Sequence, residues 1–277
     1  ARHSNLLFFT SVLALLVPLL ALDIENLERL KANLSEITNL HSEIPLIGPD
    51  KQTGGLCTCW FSMSSPAPGW PKDCSEIRTG SPSGIYVIQP TGLHPIVVYC
   101  EMNVTDGGWT VIQRNRQNTE ITWAESWSTY KYGFGNMHTD YWLGTEYIHQ
   151  ISKQKVYQVR FVIWDATNNT KFADYNLFHV ENESQGYRLR LGTYSGLAGD
   201  AMTSNSASTV HDNMKFSAKD LDHDTHSGNC ASSYGGGWWY SACYSVRLNV
   251  KGGITWGSLC NGNCKASAIL IKPAPYC

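Results

Sequence analysis

A chain of 277 residues with a formal net charge of -2 and 16% charged residues has room for one large domain and an extension. Charge this sparse and this balanced indicates neither a nucleic-acid-binding surface nor an acidic tail. Aromatic residues make up 12% of the chain, including 10 Trp and 14 Tyr, which suits an extracellular recognition module or a large β-rich core.

Residues 5–21 form an apolar run behind Arg2 and His3. Its length fits the hydrophobic part of a signal peptide over 1–21 better than a membrane span, and Pro18 and Ala21 suit a cleavage region. A signal anchor is the competing reading, and both place the rest of the chain outside the cytosol. Over 22–47, Leu27, Leu30, Leu34, Ile37 and Ile44 step at helical spacing, interrupted by His41 and ended by Pro45 and Gly48-Pro49. The pattern predicts a short amphipathic helix that pairs as a coiled coil or docks on its own domain. The segment 48–72 reads as a linker carrying Cys57-Thr58-Cys59. That spacing lacks the two-residue spacer of zinc and redox pairs. The two thiols are therefore candidates for bridges between chains in a disulfide-linked homo-oligomer, with pairing inside the chain as the alternative.

Two further signals point to secretion. Nine cysteines without metal-type Cys/His pairing indicate disulfides, and sequons occur at Asn33, Asn103, Asn168 and Asn182.

A globular domain is expected over 73–277. Strands are predicted at Gly84 to Pro90, Ile96 to Cys100, Gly107 to Gln113, Tyr157 to Trp164, Phe172 to Val180 and Tyr187 to Gly192. Trp123, Trp127, Tyr141 and Trp142 between them read as core. Further on, Asp220, Asp222 and Asp224 fall at every second position, followed by His226, Gly228, Asn229 and Cys230. In a loop this spacing can turn carboxylates toward one hard cation such as calcium, although a solvated acidic turn uses the same residue types. The helix-loop-helix calcium spacing is absent. Cys230 and Cys243 bracket Gly235-Gly236-Gly237-Trp238-Trp239-Tyr240, and a bridge between them would pin the acidic loop to an aromatic platform. Closing a loop of that length stabilises by about 3 kcal/mol in the chain-entropy model.

These residues resemble the fibrinogen C-terminal domain family. The resemblance is carried by Gly107-Gly108-Trp109-Thr110-Val111-Ile112-Gln113-Arg114, Tyr132-Gly133-Phe134-Gly135-Asn136, Tyr194 to Asp200, Phe216-Ser217, Asp220 to Asp224 and Gly228 to Cys243. It covers Asp73 to about Gly257. It implies an α+β fold with a mostly antiparallel central sheet and a loop-rich, calcium-binding C-terminal subdomain, here preceded by a short helix. It also implies a Cys74–Cys100 disulfide and one calcium ion held by the side chains of Asp222 and Asp224 and the carbonyls of His226 and Gly228. Asp220 would stand behind them or act through water. The family's ligand pocket lies beside this loop, which maps it to Trp239, Tyr240, Ala242, Cys243 and Tyr244. In several members the peptide before the second cysteine is cis, here Ala242–Cys243.

The C-terminal part departs from the family pattern. Tyr244 stands where a His is usual, the loop before Gly252-Gly253-Ile254-Thr255-Trp256 is short, and Cys260, Cys264 and Cys277 are extra. Cys260 and Cys264 are close enough to pair, or Cys277 pairs with either of them, or with Cys57 or Cys59. The odd total leaves at least one thiol free or bonded to another chain. The expected function is secreted, non-enzymatic recognition of acetylated glycans; the alternative is a protein ligand for a cell-surface receptor. No nucleophile elbow, His-Glu-x-x-His or phosphate loop occurs. His211-Asp212 and His223-Asp224 read as polar loop groups.

Overall fold

Strand β6 (Tyr157–Trp164) shows most plainly how the sequence sets the fold. Tyr157, Val159, Phe161 and Ile163 are fully buried, while Gln158, Arg160, Val162 and Trp164 on the other face are only partly covered. This period of two makes a strand with one face in the core. The computed structural model describes residues 69–104, 106–203 and 206–275. The chain divides into a unit 1–64 and a unit 65–277, and all described elements belong to the second. The expected signal segment, helix and Cys57/Cys59, together with Asn33 and Cys277, lie outside the described residues.

In chain order the elements are β1 (Gly84–Ile88), β2 (Ile96–Glu101), β3 (Trp109–Arg116), α1 (Trp127–Tyr132), β4 (Phe134–Gly135), β5 (Tyr141–Trp142) and α2 (Thr145–Ser152). After β6 come β7 (Thr170–Val180), β8 (Leu189–Leu191), β9 (Tyr194–Gly196), α3 (Cys230–Tyr234), β10 (Val246–Arg247), β11 (Thr255–Trp256) and β12 (Ala266–Pro273). The main sheet is antiparallel, in the order β1-β2-β3-β12-β6-β7-β8; β5 and β9 pair onto β3 and β7. The last strand, β12, therefore lies between β3 and β6 at the centre. Its residues Ser267 to Ile271 are all buried, so both faces are covered and the apolar run Ala268 to Ile271 does not alternate. The fold thus extends past Gly257 to Pro273.

On the inner face, Phe161 meets Trp256 with ring centroids 5.2 Å apart. Buried Gln113 and Asn115 of β3 reach the segment after β10. Asn115 Nδ2 donates to the carbonyls of Leu248 (2.6 Å) and Val250 (2.8 Å), and Gln113 Nε2 donates to Asn249 Oδ1 (3.1 Å). On the outer face, Arg160 lies over the rings of Phe172 (4.6 Å) and Trp109 (5.2 Å), and Arg114 over Tyr99 (4.4 Å). Disulfides join Cys74 to Cys100, Cys230 to Cys243 and Cys260 to Cys264, which settles the pairing left open for the last two.

Candidate functional site

The acidic loop is held at both ends. At its start, Ser217 and Trp238 exchange backbone hydrogen bonds of 2.9 and 3.1 Å. At its end Asn229 caps α3, accepting from the Ser232 N–H (2.8 Å), and its Nδ2 donates back to the Ala218 carbonyl (3.1 Å). Between them the carboxylates organise the backbone. Asp222 Oδ1 accepts from the Asp224 N–H (3.1 Å). Asp224 accepts from the N–H groups of His226 (2.9 Å) and Cys230 (2.8 Å) through its two oxygens. Burial raises the Asp224 carboxyl pKa, the backbone donors pull it down, and the neighbouring Asp222 carboxyl raises it again. Among the described residues no lysine or arginine pairs with either carboxylate. His226 Nδ1 lies 3.0 Å from both the N–H and the carbonyl oxygen of Gly228, which folds the ring back onto the loop backbone. Asp220 is directed elsewhere: its Oδ1 takes the N–H of Trp127 (2.7 Å) and ties the loop to α1.

His226 Nδ1/Nε2 and the sulfurs of Cys230 and Cys243 fall within 4.8 Å of one another. Both sulfurs are in the disulfide, so no thiolate is present to bind a soft metal. What the bridge does is hold the acidic loop against residues 241–244.

The aromatic platform differs from the expectation. Trp239 and Tyr240 are both 1% exposed and present no ring to a ligand. Trp239 packs against Trp142, Phe216 and Trp238 and donates its indole N–H to the Tyr187 carbonyl (2.8 Å); Tyr240 donates its hydroxyl to the Gly236 carbonyl (2.9 Å). Glycine admits this burial: a Cβ at Gly236 would strike the Asn249 carbonyl, and one at Gly237 the Tyr130 ring. The Ala242–Cys243 peptide is trans, like every peptide among the described residues, which corrects the expected cis bond. Its N–H donates to the Ser208 carbonyl (3.1 Å), so it is not turned out toward a ligand.

Ala242, Cys243 and Tyr244 are half-buried. The Tyr244 ring meets Tyr234 edge-on (5.0 Å) and Tyr240 (6.4 Å), with the Arg247 guanidinium 5.1 Å from its centre. Arg247 Nη2 donates to the Gly253 carbonyl (3.1 Å), and its Nε is buried without a hydrogen-bond partner. Tyr234 is 39% exposed. The open surface beside the disulfide is therefore Tyr234, Tyr244 and Arg247.

The model for the C-terminal globular domain of fibrinogen beta and gamma chains matches residues 70–263. The chain belongs to the fibrinogen C-terminal domain family. A fibrinogen-like protein 1-like protein of Gallus gallus is 56% identical to it over 207 residues, 74% of this chain and 73% of the relative. Techylectin-5A of Tachypleus tridentatus is 41% identical over 186 residues, covering 65% and 62%. Among solved structures, the fibrinogen-like globe domain of human ANGPTL6 superposes with a TM-score of 0.68 at 35% identity, over 78% of this chain and all of that one.

Within this fibrinogen-related domain, three contributors escaped the sequence reading. Tyr234 and Arg247 flank Tyr244, and the available signal was their spacing around Cys243 on a short helix and a short strand. The third is His211, which lies in a loop as expected but is fully buried there. Its Nε2 accepts from the N–H groups of Ser245 (3.2 Å) and Val246 (2.9 Å), so Nδ1 carries the proton and donates to the Trp239 carbonyl (2.8 Å). Burial pushes its pKa down to about 4, against the backbone bond to Trp239. His211 thus joins the buried tryptophan to the backbone just after Tyr244.

Proposed function

We propose that this fibrinogen-related domain is an extracellular, calcium-stabilised, non-enzymatic recognition module. Its ligand surface is formed by Tyr244, Tyr234 and Arg247 and takes acetylated glycans. The observation that carries this reading is that the Cys230–Cys243 bridge fastens the Asp222/Asp224 loop to that half-open aromatic surface. The donor set suits calcium: two carboxylates on one loop, the Asp224 pKa raised partly by its neighbour, and no cationic side chain paired with either among the described residues. Asp222 and Asp224 would hold the ion with the carbonyls of His226 and Gly228. When bound, calcium supplies the positive charge that relieves the repulsion between the two carboxylates. Asp220 serves the loop through Trp127 instead.

An acetyl methyl group would lie on the Tyr244 and Tyr234 rings, and Arg247 and the Tyr244 hydroxyl would donate to oxygens. His211 offers no general base, because backbone groups engage both of its ring nitrogens. The test is an array of acetylated and non-acetylated glycans probed with the wild type and Tyr244→Ala. Binding confined to acetylated ligands and lost in the variant supports the reading. Binding unaffected by Tyr244→Ala contradicts it.

A second reading, a protein ligand for a cell-surface receptor, is favoured by the burial of Trp239 and Tyr240 and the inward Cys243 N–H. They leave a shallow surface that suits a protein face.

A further inference from the structure

At the β6–β7 end of the sheet's outer face, Arg114, Arg116, Gln117, Trp164, Asn168 and Lys265 line a cleft of about 770 Å³. That lies within the ~300–1,000 Å³ typical of small-ligand sites. None of these residues belongs to the surface around Tyr244. The cleft combines an indole with amide, guanidinium and ammonium donors, the chemistry that suits a pyranose ring: an apolar face to stack and hydroxyls to bond.

Asn168 is one of the four sequon asparagines, and its setting differs from the others. It occupies the corner of the β6–β7 hairpin at φ 66°, exposed, in the left-handed region that Asn tolerates. The turn is fixed by Asp165, whose Oδ1 accepts from Thr167 N–H (2.8 Å), Thr167 Oγ1–H (2.7 Å) and Asn169 N–H (3.0 Å). Thr170, which completes the sequon, is the direct cross-strand partner of Trp164, so the two side chains share one face. Asn182 instead sits at a short helical turn, with its Oδ1 accepting from Ser184 and Gln185. Asn103 lies in the β2–β3 turn, and Asn33 is outside the described residues.

We propose that Asn168 carries an N-linked glycan whose first N-acetylglucosamine packs on the Trp164 ring, so that the chain's own sugar fills this cleft. The proposal rests on the extracellular reading, since the modification is made on the secretory route. In the transfer, Asn168 Nδ2 forms a bond to C1 of an oligosaccharide carried on a lipid diphosphate. The bond from C1 to the diphosphate oxygen breaks, the amide nitrogen gives up one proton, and the lipid diphosphate leaves. The first sugar then lies between the indole and the donors of Gln117 and Lys265, and it shields the partly exposed aromatic end of the sheet from water.

The test uses the full chain secreted from a eukaryotic host. Peptide mass spectrometry should find Asn168 occupied. Trimming every glycan to a single N-acetylglucosamine should leave the melting temperature unchanged, whereas Asn168→Gln should lower it by roughly 2–4 °C. In a Trp164→Ala background the Asn168→Gln shift should shrink to the strain that Gln meets at φ 66°. As a readout that does not depend on that variant folding, the acetamido methyl resonance of the Asn168-linked sugar should be moved upfield in the wild type by ring current from Trp164. An unmodified Asn168, an unshifted methyl, or an equal loss with and without Trp164 overturns the proposal. Glycans on Asn103 or Asn182 without one on Asn168 would do so while leaving the extracellular reading intact.

Discussion

His211 shows how one residue couples core and site. It is neutral in the fold with a pKa of about 4, against about 6.5 in an unfolded chain. Its contribution is therefore complete above pH 6.5 and is lost as pH falls from there toward 4, on the order of 3 kcal/mol in all. Thermal melts from pH 7.5 to 4.5 should show falling stability over that window, and His211→Gln should flatten the dependence. A wild-type profile flat over the same range would contradict the buried neutral state. Asp222 acts by another route. If calcium is present at about 100 times its dissociation constant, the ion contributes roughly 2.7 kcal/mol, or about 5–10 °C of melting temperature for a domain this size. Asp222→Ala should remove that gain, and equal melting of wild type with calcium and with chelator would argue against the site.

At the scale of elements, β3 holds the segment that follows β10, the strand that carries Arg247 of the proposed ligand surface. Asn115→Ala would orphan the buried carbonyl of Val250 and leave that of Leu248 with only a long bond from Gln113 (3.4 Å), and should cost about 1–3 kcal/mol, read as a shift in a denaturant midpoint. A midpoint within error of wild type would show that this tether is dispensable. Asn115 was not legible as a tether, because its partners are backbone groups more than a hundred residues away. Strands such as β6 were legible, because alternating burial writes itself into the residue order. β12 was not, since a strand covered on both faces loses the alternation, and β4, β5, β10 and β11 are too short to carry a period. The positions of the acidic loop and the Cys230–Cys243 bridge were visible in the spacing of the residues. Which aromatics face outward was not: Trp239 and Tyr240 read like a platform, yet Gly236 and Gly237 let them sink into the core.

For the whole molecule, the three described disulfides account for six of the nine cysteines and leave Cys57, Cys59 and Cys277. An odd remainder within one chain leads us to expect a disulfide-linked oligomer. Non-reducing electrophoresis of the secreted protein should show a dimer or larger species that reduction collapses; a monomer under both conditions would refute it. The central claim is that a calcium-bound Asp222/Asp224 loop holds the Tyr244 surface in its binding form. The direct measurement is titration of the secreted protein with an acetylated glycan, in calcium and in chelator. The account predicts binding in calcium that chelator abolishes, with Asp222→Ala resembling the chelated wild type in both conditions. Equal affinity with and without calcium would contradict it.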